Sequence, residues 1–458
     1  MDREVTLSEV LAAREVRAQR QRALLEERGL PAISFCMNIA GPVKNGHAIR
    51  RAFREGILRL TEALRGARLR VEYREEIDEP TGCEALLAVR GDPREIKRLC
   101  VDLEDEDALG RLFDMDVLTP DGGKLDRECL NLPQRTCLIC GRAGKVCASR
   151  RVHSHEELQQ RTRQILTDYF AQADGDRIAA QAARALLYEV CTTPKPGLVD
   201  RANSGSHRDM DIFIFVDSTT SLLPYLREAF GIGCRTAALS PEETFRQLRR
   251  AGLRAERVMF EATGGVNTQK GAVFSLGTVC AAAGRLWTVE RPRAPIEAVL
   301  DECARMSSRA VADDLAAVTG EGAETCGQRL YLMHGLRGIR GELADGLPSV
   351  SRIGFPALRG ALSRGASLEQ AGVYALLRLI AGVEDTNLHA RGGSEGRRWA
   401  SEQAAGLLRD GRLPAAEEVA ALDRDFIERD LSPGGCADLL AITFFLHFYV
   451  QDRQFQEV

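Results

Sequence analysis

The sequence has no excess of charge of either sign. Its 62 Lys and Arg stand against 66 Asp and Glu, a net charge of −4, with a pI near 6.1. A nucleic-acid-binding chain needs a basic field, so this balance argues against a nucleic-acid partner. Long hydrophobic runs are scarce as well. Those such as Ile212 to Val216 are far too short to span a bilayer, which argues against a membrane role. Met1 to Arg20 is charged and lacks the apolar segment of a secretory signal, so a cytoplasmic setting is expected. A disulfide framework is lacking too. The 13 Cys are odd in number, and Cys191, Cys234, Cys280, Cys303, Cys326 and Cys436 are spread through helical patterns, as buried thiols are. What is present is ordinary for a globular protein: 44% apolar and 28% charged residues. A chain of 458 residues exceeds one ordinary core, so two domains are expected.

The two parts differ in texture. Up to about Leu130, strand-like runs alternate with helical ones. Ala32 to Ile39 and Ala85 to Val89 are apolar runs bounded by Gly and Pro, and Val71 to Ile77 alternates apolar with charged residues. Leu7 to Arg28 and Gly46 to Arg65 have helical spacing, the second with Ile49, Phe53, Ile57 and Leu60 on one face. Asp92-Pro93 reads as an N-cap followed by a first-turn proline. This alternation argues for an α/β or α+β N-terminal domain, with α+β the expectation. From about Glu156 the strand signals almost vanish. Ile178 to Val190, Phe213 to Phe230, Glu242 to Phe260, Ile296 to Val318, Leu368 to Ala381 and Ala437 to Tyr449 predict an all-α, multi-helix C-terminal domain. The joint is expected between Ser154 and Arg177, with Gln172 to Asp176 as its candidate, giving domains 1–170 and 171–458.

Three C-terminal segments carry chemistry. The first runs from Glu189 through Cys191-Thr192-Thr193-Pro194-Lys195-Pro196-Gly197 to His207 and Met210. Its prolines stiffen the backbone around Lys195, and a lysine on a stiff loop suits a phosphate chain; a solvated loop lysine is the other reading. Asp200, Asp209 and Asp211 offer hard oxygens to Mg²⁺; alternatively Asp209 and Asp211 cap the helix that follows. The second, Gly264-Gly265-Val266-Asn267-Thr268-Gln269-Lys270-Gly271, allows close backbone approach to a ligand or is a plain helix–helix turn. It is not a Walker A loop, because Lys270 is followed by Gly271 and Ala272. The third, Glu384-Asp385-Thr386-Asn387, follows an apolar helix, and His389 and Arg391 come after it. Acids at a helix C-terminus oppose its dipole, which argues for a bound cation there.

In order and spacing these segments resemble the triphosphoribosyl-dephospho-CoA synthase family, over roughly Ala171 to Val458. The resemblance implies transfer of the triphosphoribosyl group of ATP to the ribose 2′-hydroxyl of dephospho-CoA, with adenine released. On that reading Lys195, Lys270 and Arg391 are expected on phosphates, Asp209 and Asp385 on Mg²⁺ or as base, His207 and Asn387 on ribose or base edges, and Asn267 on phosphate or ribose. Asp385→Ala is expected to stop adenine release and leave the fold intact. One departure stands out: the family's Asn-Thr-His-Lys-Gly reads Asn267-Thr268-Gln269-Lys270-Gly271 here, and glutamine cannot titrate.

The N-terminal part carries its own constellation. Asn38-Ile39-Ala40-Gly41-Pro42-Val43-Lys44 is a strand, a tight turn and a lysine. Asp114-Met115-Asp116 points two carboxylates to one face of a strand, which suits Mg²⁺ and also describes an ordinary edge-strand acid pair. Cys137, Cys140, Cys147 and His153 are zinc-ligand types, at a spacing tighter than in common fingers; packed free thiols are the alternative. Together these resemble the apo-citrate lyase phosphoribosyl-dephospho-CoA transferase family, over roughly Asp2 to Leu158, with Ala40 replacing a usual proline. The resemblance implies a nucleotidyltransferase-like domain that moves the prosthetic group from its triphosphate precursor to a serine of the acyl carrier subunit and releases pyrophosphate. It implies Lys44, Arg111 and Arg135 on phosphates and Asp114 and Asp116 on Mg²⁺. The arginines between Arg142 and Arg151 are candidates for meeting an acidic carrier.

A fused bifunctional transferase is therefore expected. A malonate decarboxylase precursor synthase would share the C-terminal motifs but not the N-terminal ones. A zinc-containing nucleotide-sensing or carrier-binding regulator is the non-enzymatic alternative.

Overall fold

The computed structural model describes residues 3–318 and 326–452. The chain divides into two compact units, Met1–Ala171 and Gln172–Gln456.

The N-terminal unit runs α1 (Leu7–Arg28), β1 (Ala32–Met37), α2 (His47–Gly66), β2 (Arg70–Glu79), β3 (Gly82–Arg90), α3 (Pro93–Asp105), β4 (Phe113–Leu118), β5 (Lys124–Leu125) and α4 (Gly144–Ser149). The five strands form one antiparallel sheet in the order β2-β3-β1-β4-β5, so the unit is α+β. Local signals set the boundaries. Thr6 and Glu9 form a capping box at the start of α1, and Gly29 ends it in the left-handed region at φ 61°. Asp92 accepts from the Arg94 N–H at 3.0 Å ahead of Pro93, as its sequence predicts. Ile49, Phe53, Ile57 and Leu60 of α2 are all buried, each contributing roughly 1.5–3 kcal/mol. Phe35 of β1 stacks on Phe53 at 4.9 Å and meets Phe113 of β4 edge-on at 5.5 Å, which fixes α2 on the sheet.

The chain continues into α5 (His155–Cys191), and the division between the units falls within that helix. The second unit is helical. It contains α6 (Ile212–Arg235), α7 (Pro241–Ala262), α8 (Lys270–Leu286), α9 (Ile296–Ala316), α10 (Cys326–His334), α11 (Gly338–Ala344), α12 (Phe355–Ser363), α13 (Leu368–Gly382), α14 (Thr386–Leu407), α15 (Ala416–Glu428) and α16 (Gly434–Gln451). Helices α6 and α8 lie close because glycine stands at the crossing. A Cβ on Gly233 or Gly284 would overlap the carbonyl oxygens of Ala281 or Phe230. Helix α14 kinks at Gly393, φ 61°.

One expectation is amended here, and the expectation of unpaired thiols holds for the described cysteines. Helix α16 is long and apolar enough to cross a membrane by length and composition, which the short run Ile212 to Val216 did not anticipate. It serves as a core helix, with Leu439 to Tyr449 buried against α8, α12 and α13. Among the described cysteines all are free thiols; Cys280, Cys303 and Cys436 are buried, and Cys191 and Cys234 half-buried. The side chain of Cys326 lies outside the described residues.

Candidate functional site

Each unit holds a polar cavity. In the N-terminal unit the cavity is about 1100 Å³ and sits where β4 runs out of strand partners. Strand β5 pairs only with Val117 and Leu118. Side chains satisfy the rest of that edge. Buried Lys97 donates to the Met115 carbonyl at 2.9 Å, Glu104 accepts from the Met115 N–H at 2.9 Å, and Arg135 donates to the Phe113 carbonyl at 2.7 Å. Arg127 neutralises Glu104 at 2.6 Å. Because a strand alternates its faces, Phe113, Met115 and Val117 enter the core and Asp114 and Asp116 face the cavity together.

Arg135 reaches Asp114 at 3.5 Å, and Lys124 pairs with Asp116 at 2.6 Å. Burial, and then the charge of Asp116, pushes the Asp114 carboxyl above the usual range. Arg111 is held by Asp105 and the Thr136 hydroxyl, each at 3.2 Å, and lines the cavity with Arg135. Lys44 does not line it. Its ammonium is spent on the Ile39 carbonyl at 2.6 Å, which closes the turn after β1, and burial lowers its pKa. Lys97, Glu104, Lys124 and Arg127 escaped the sequence reading. They are ordinary helix and loop charges until β4 packs beside them.

The cysteine segment forms one wall. A tight turn through Gly141 brings the Cys137 N–H to the Arg142 carbonyl at 2.7 Å. Cys137, Cys140, Cys147 and His153 then place their donor atoms within 4.8 Å of one another. His153 Nε2 is buried with no hydrogen-bond partner, as an unengaged ligand atom is. Three thiols and an imidazole at this spacing fit a metal ion, and the cluster could hold one.

The C-terminal cavity, about 450 Å³, gathers segments far apart in sequence. Lys195, His207, Asn267, Lys270, Asn387 and Arg391 all line it. The first segment owes its shape to buried acids. Asp200 accepts from the N–H groups of Lys195 at 2.9 Å and Ala202 at 2.7 Å, and Asp423 from Gly197 N–H at 2.9 Å and the Asn203 amide at 2.8 Å. Lys195 is 1% exposed and forms a buried ion pair with Glu189. His207 Nε2 meets the Ser432 hydroxyl at 2.9 Å, and Arg391 donates to its Nδ1 at 3.3 Å. Burial and then the Arg391 charge lower its pKa, which favours the neutral ring.

Gln269 is buried at the start of α8. Its Oε1 accepts from Ser218 at 2.6 Å and its amide nitrogen donates to Thr219 at 3.1 Å. It therefore ties the turn to α6 without titrating. Lys270 pairs with Glu256 at 3.1 Å.

Two candidate residues stand elsewhere. Asp209 is exposed and is not among the cavity-lining residues. Asp385 is 2% exposed and fully engaged. Oδ1 accepts from the Asn387 and Leu388 N–H groups at 2.7 and 3.0 Å, and Oδ2 from the Cys436 N–H at 2.7 Å. It caps α14 and ties down the first turn of α16, so the unfavourable dipole at the end of α13 is answered by two helix N-termini. In this cavity sequence reading missed Asp438, a lone acid in the apolar pattern of α16, which lines it together with Lys195 and Gly271, both far away in sequence.

Comparison with known proteins gives a consistent grouping. Residues 175–456 match the family described as CitG, ATP:dephospho-CoA triphosphoribosyl transferase. Residues 5–169 match CitX, apo-citrate lyase phosphoribosyl-dephospho-CoA transferase. Protein CitXG of Haemophilus influenzae is 34% identical, over 97% of this chain and 96% of its own length. Protein CitXG of Leuconostoc mesenteroides subsp. cremoris is 31% identical, over 96% and 97%. A 2-(5''-triphosphoribosyl)-3'-dephosphocoenzyme-A synthase of Pectobacterium atrosepticum is 40% identical over 63% of this chain and 94% of its own.

Proposed function

Because the chain belongs to the CitX and CitG transferase families, fused in one polypeptide, and so to citrate lyase prosthetic-group biosynthesis, we propose that it both makes and attaches that group. The C-terminal unit transfers triphosphoribose from ATP to the 2′-hydroxyl of dephospho-CoA and releases adenine. The N-terminal unit, nucleotidyltransferase-like in its chemistry, transfers the product to a serine of the apo acyl carrier subunit and releases pyrophosphate. The match of residues 5–169 to the CitX family speaks for citrate lyase over malonate decarboxylase.

The observation that carries this reading is the convergence of three distant segments, bearing Lys195, Lys270 and Arg391, on one cavity. The triphosphate is not cleaved in the first reaction, so it needs neutralisation and orientation. Lys270 and Arg391 are the exposed cations for it, and Lys195, with Glu189, forms the floor. Neutral His207 and Asn387 suit ribose hydroxyls. Breaking a ribose C1′–N bond develops positive charge at C1′, which nearby carboxylates stabilise.

In the N-terminal cavity, Asp114 and Asp116 would hold Mg²⁺, which neutralises phosphate charge when bound. Arg111 and Arg135 orient the triphosphate of the incoming group. The Cys137, Cys140, Cys147 and His153 set would hold Zn²⁺ in a structural role, fixing the wall that carries Thr136 and so Arg111. Arg142, Arg150 and Arg151 are exposed beside it and suit an acidic carrier. The test is mass spectrometry of the full chain with ATP, dephospho-CoA and Mg²⁺, then with apo carrier subunit. Adenine and a triphosphoribosyl adduct, followed by modified carrier and pyrophosphate, are expected. Folded protein that yields neither overturns the reading.

A further inference from the structure

Among the described residues, the C-terminal cavity contains one carboxyl group that no cation balances. Asp438 lies in the second turn of α16 and is partly exposed within the cavity. Its Oδ2 rests against the first turn of α8, where Gly271 leaves room; a Cβ at 271 would overlap that oxygen.

Each cation facing the cavity already pairs with an acid other than Asp438. Lys195 pairs with Glu189 of α5, Lys270 of α8 with Glu256 at 3.1 Å, and Arg391 of α14 with Asp430 at 2.8 Å. Arg340 of α11 lies 4.0 Å from Asp314. The His207 ring is held between Ser432 and Arg391. Among the described residues, no hydrogen-bond donor or cation reaches the Asp438 carboxyl. The charges that act on it are those of Glu189 and of Asp385, at the head of α14. Burial, and then these two carboxylates, push it up to about 8.

We propose that Asp438 is the general acid that protonates adenine as it leaves, a role that rests on the triphosphoribosyl transfer proposed above. A carboxyl that keeps its proton at neutral pH is built to donate it. The C1′–N9 bond of ATP breaks and its electron pair departs on adenine. The Asp438 proton goes to the purine ring, which leaves as neutral adenine. The 2′-oxygen of dephospho-CoA forms the new bond to C1′ and gives its proton to water. Water reprotonates Asp438 once the products have gone, so protons balance and no redox partner is needed. Asp385 cannot serve this purpose, because both its oxygens are engaged by backbone N–H groups.

The experiment is adenine release by the full chain, wild type and Asp438→Asn, from ATP and dephospho-CoA across pH 6–10, with ATP affinity measured alongside. The expected loss in the variant is about 10²–10⁴-fold with ATP affinity kept, the usual size of a general-acid contribution. In the wild type, the rate is expected to fall as pH rises past the point where Asp438 loses its proton. Three results overturn the assignment alone: near-wild-type release by Asp438→Asn, a loss that only tracks lost ATP binding, or a wild-type rate that stays flat through pH 10. Absence of adenine from folded wild-type protein at every pH overturns the transfer reading beneath it.

Discussion

At the residue scale, the same chemical type takes different roles according to its neighbours. Asp114, Asp385 and Asp438 are all buried to some degree, and burial raises all three. Asp385 is held by three backbone N–H groups, Asp114 faces Arg135, and Asp438 has no counter-charge among the described residues. The raised pKa of Asp438 has a stability consequence with a definite sign. The folded chain holds a proton that the unfolded chain releases above the ordinary carboxylate range. That contribution is fully present at low pH and is lost as pH rises through about 8. Melting curves of Asp438→Asn against wild type are therefore expected to move in the variant's favour between pH 5 and 9; a pH-independent difference contradicts this. Among the thiols, Cys147→Ser and His153→Ala are expected to lose bound zinc, measured by elemental analysis. Carrier modification should drop with it while adenine release holds.

At the element scale, helix starts decide the C-terminal cavity. Asp385 was legible as a polar signal after α13, but not as the tie between α14 and α16, because that role depends on α16 arriving from 51 residues away in sequence to donate the Cys436 N–H. The expectation that Asp385→Ala would leave the fold intact is accordingly withdrawn. The variant loses a double cap at α14 and strands the Cys436 N–H, at a cost of about 2–4 kcal/mol, to be read from denaturant unfolding. A change below about 0.5 kcal/mol contradicts the capping role. Gly271→Ala tests the neighbouring contact. It should displace Asp438 from α8 and reduce adenine release, while Gly264→Ala, where a Cβ meets nothing, tests only the strain of its φ of 64°.

At the scale of the whole molecule, the two family regions, residues 5–169 and 175–456, coincide with two compact units of one chain. If the product of one reaction is the substrate of the other, tethering raises their encounter probability. The activities should separate cleanly by mutation. Asp114→Asn is expected to block carrier modification while adenine release continues. Asp438→Asn is expected to block adenine release while still modifying carrier when the triphosphoribosyl intermediate is supplied; loss of both activities in either variant contradicts independent sites. The sequence by itself determined the class of each part, because apolar periodicity and Gly/Pro punctuation are local. It also determined the family, because the motifs are short strings with fixed order. Asp114 beside Asp116 was legible for the same reason: alternation along one strand is a local fact. Only the tertiary structure decided that Lys44 closes a turn and stays out of the cavity, that Lys195 is buried against Glu189, and that Asp438 faces Gly271. Those outcomes rest on which distant groups meet, and burial and counter-charge are properties of that meeting.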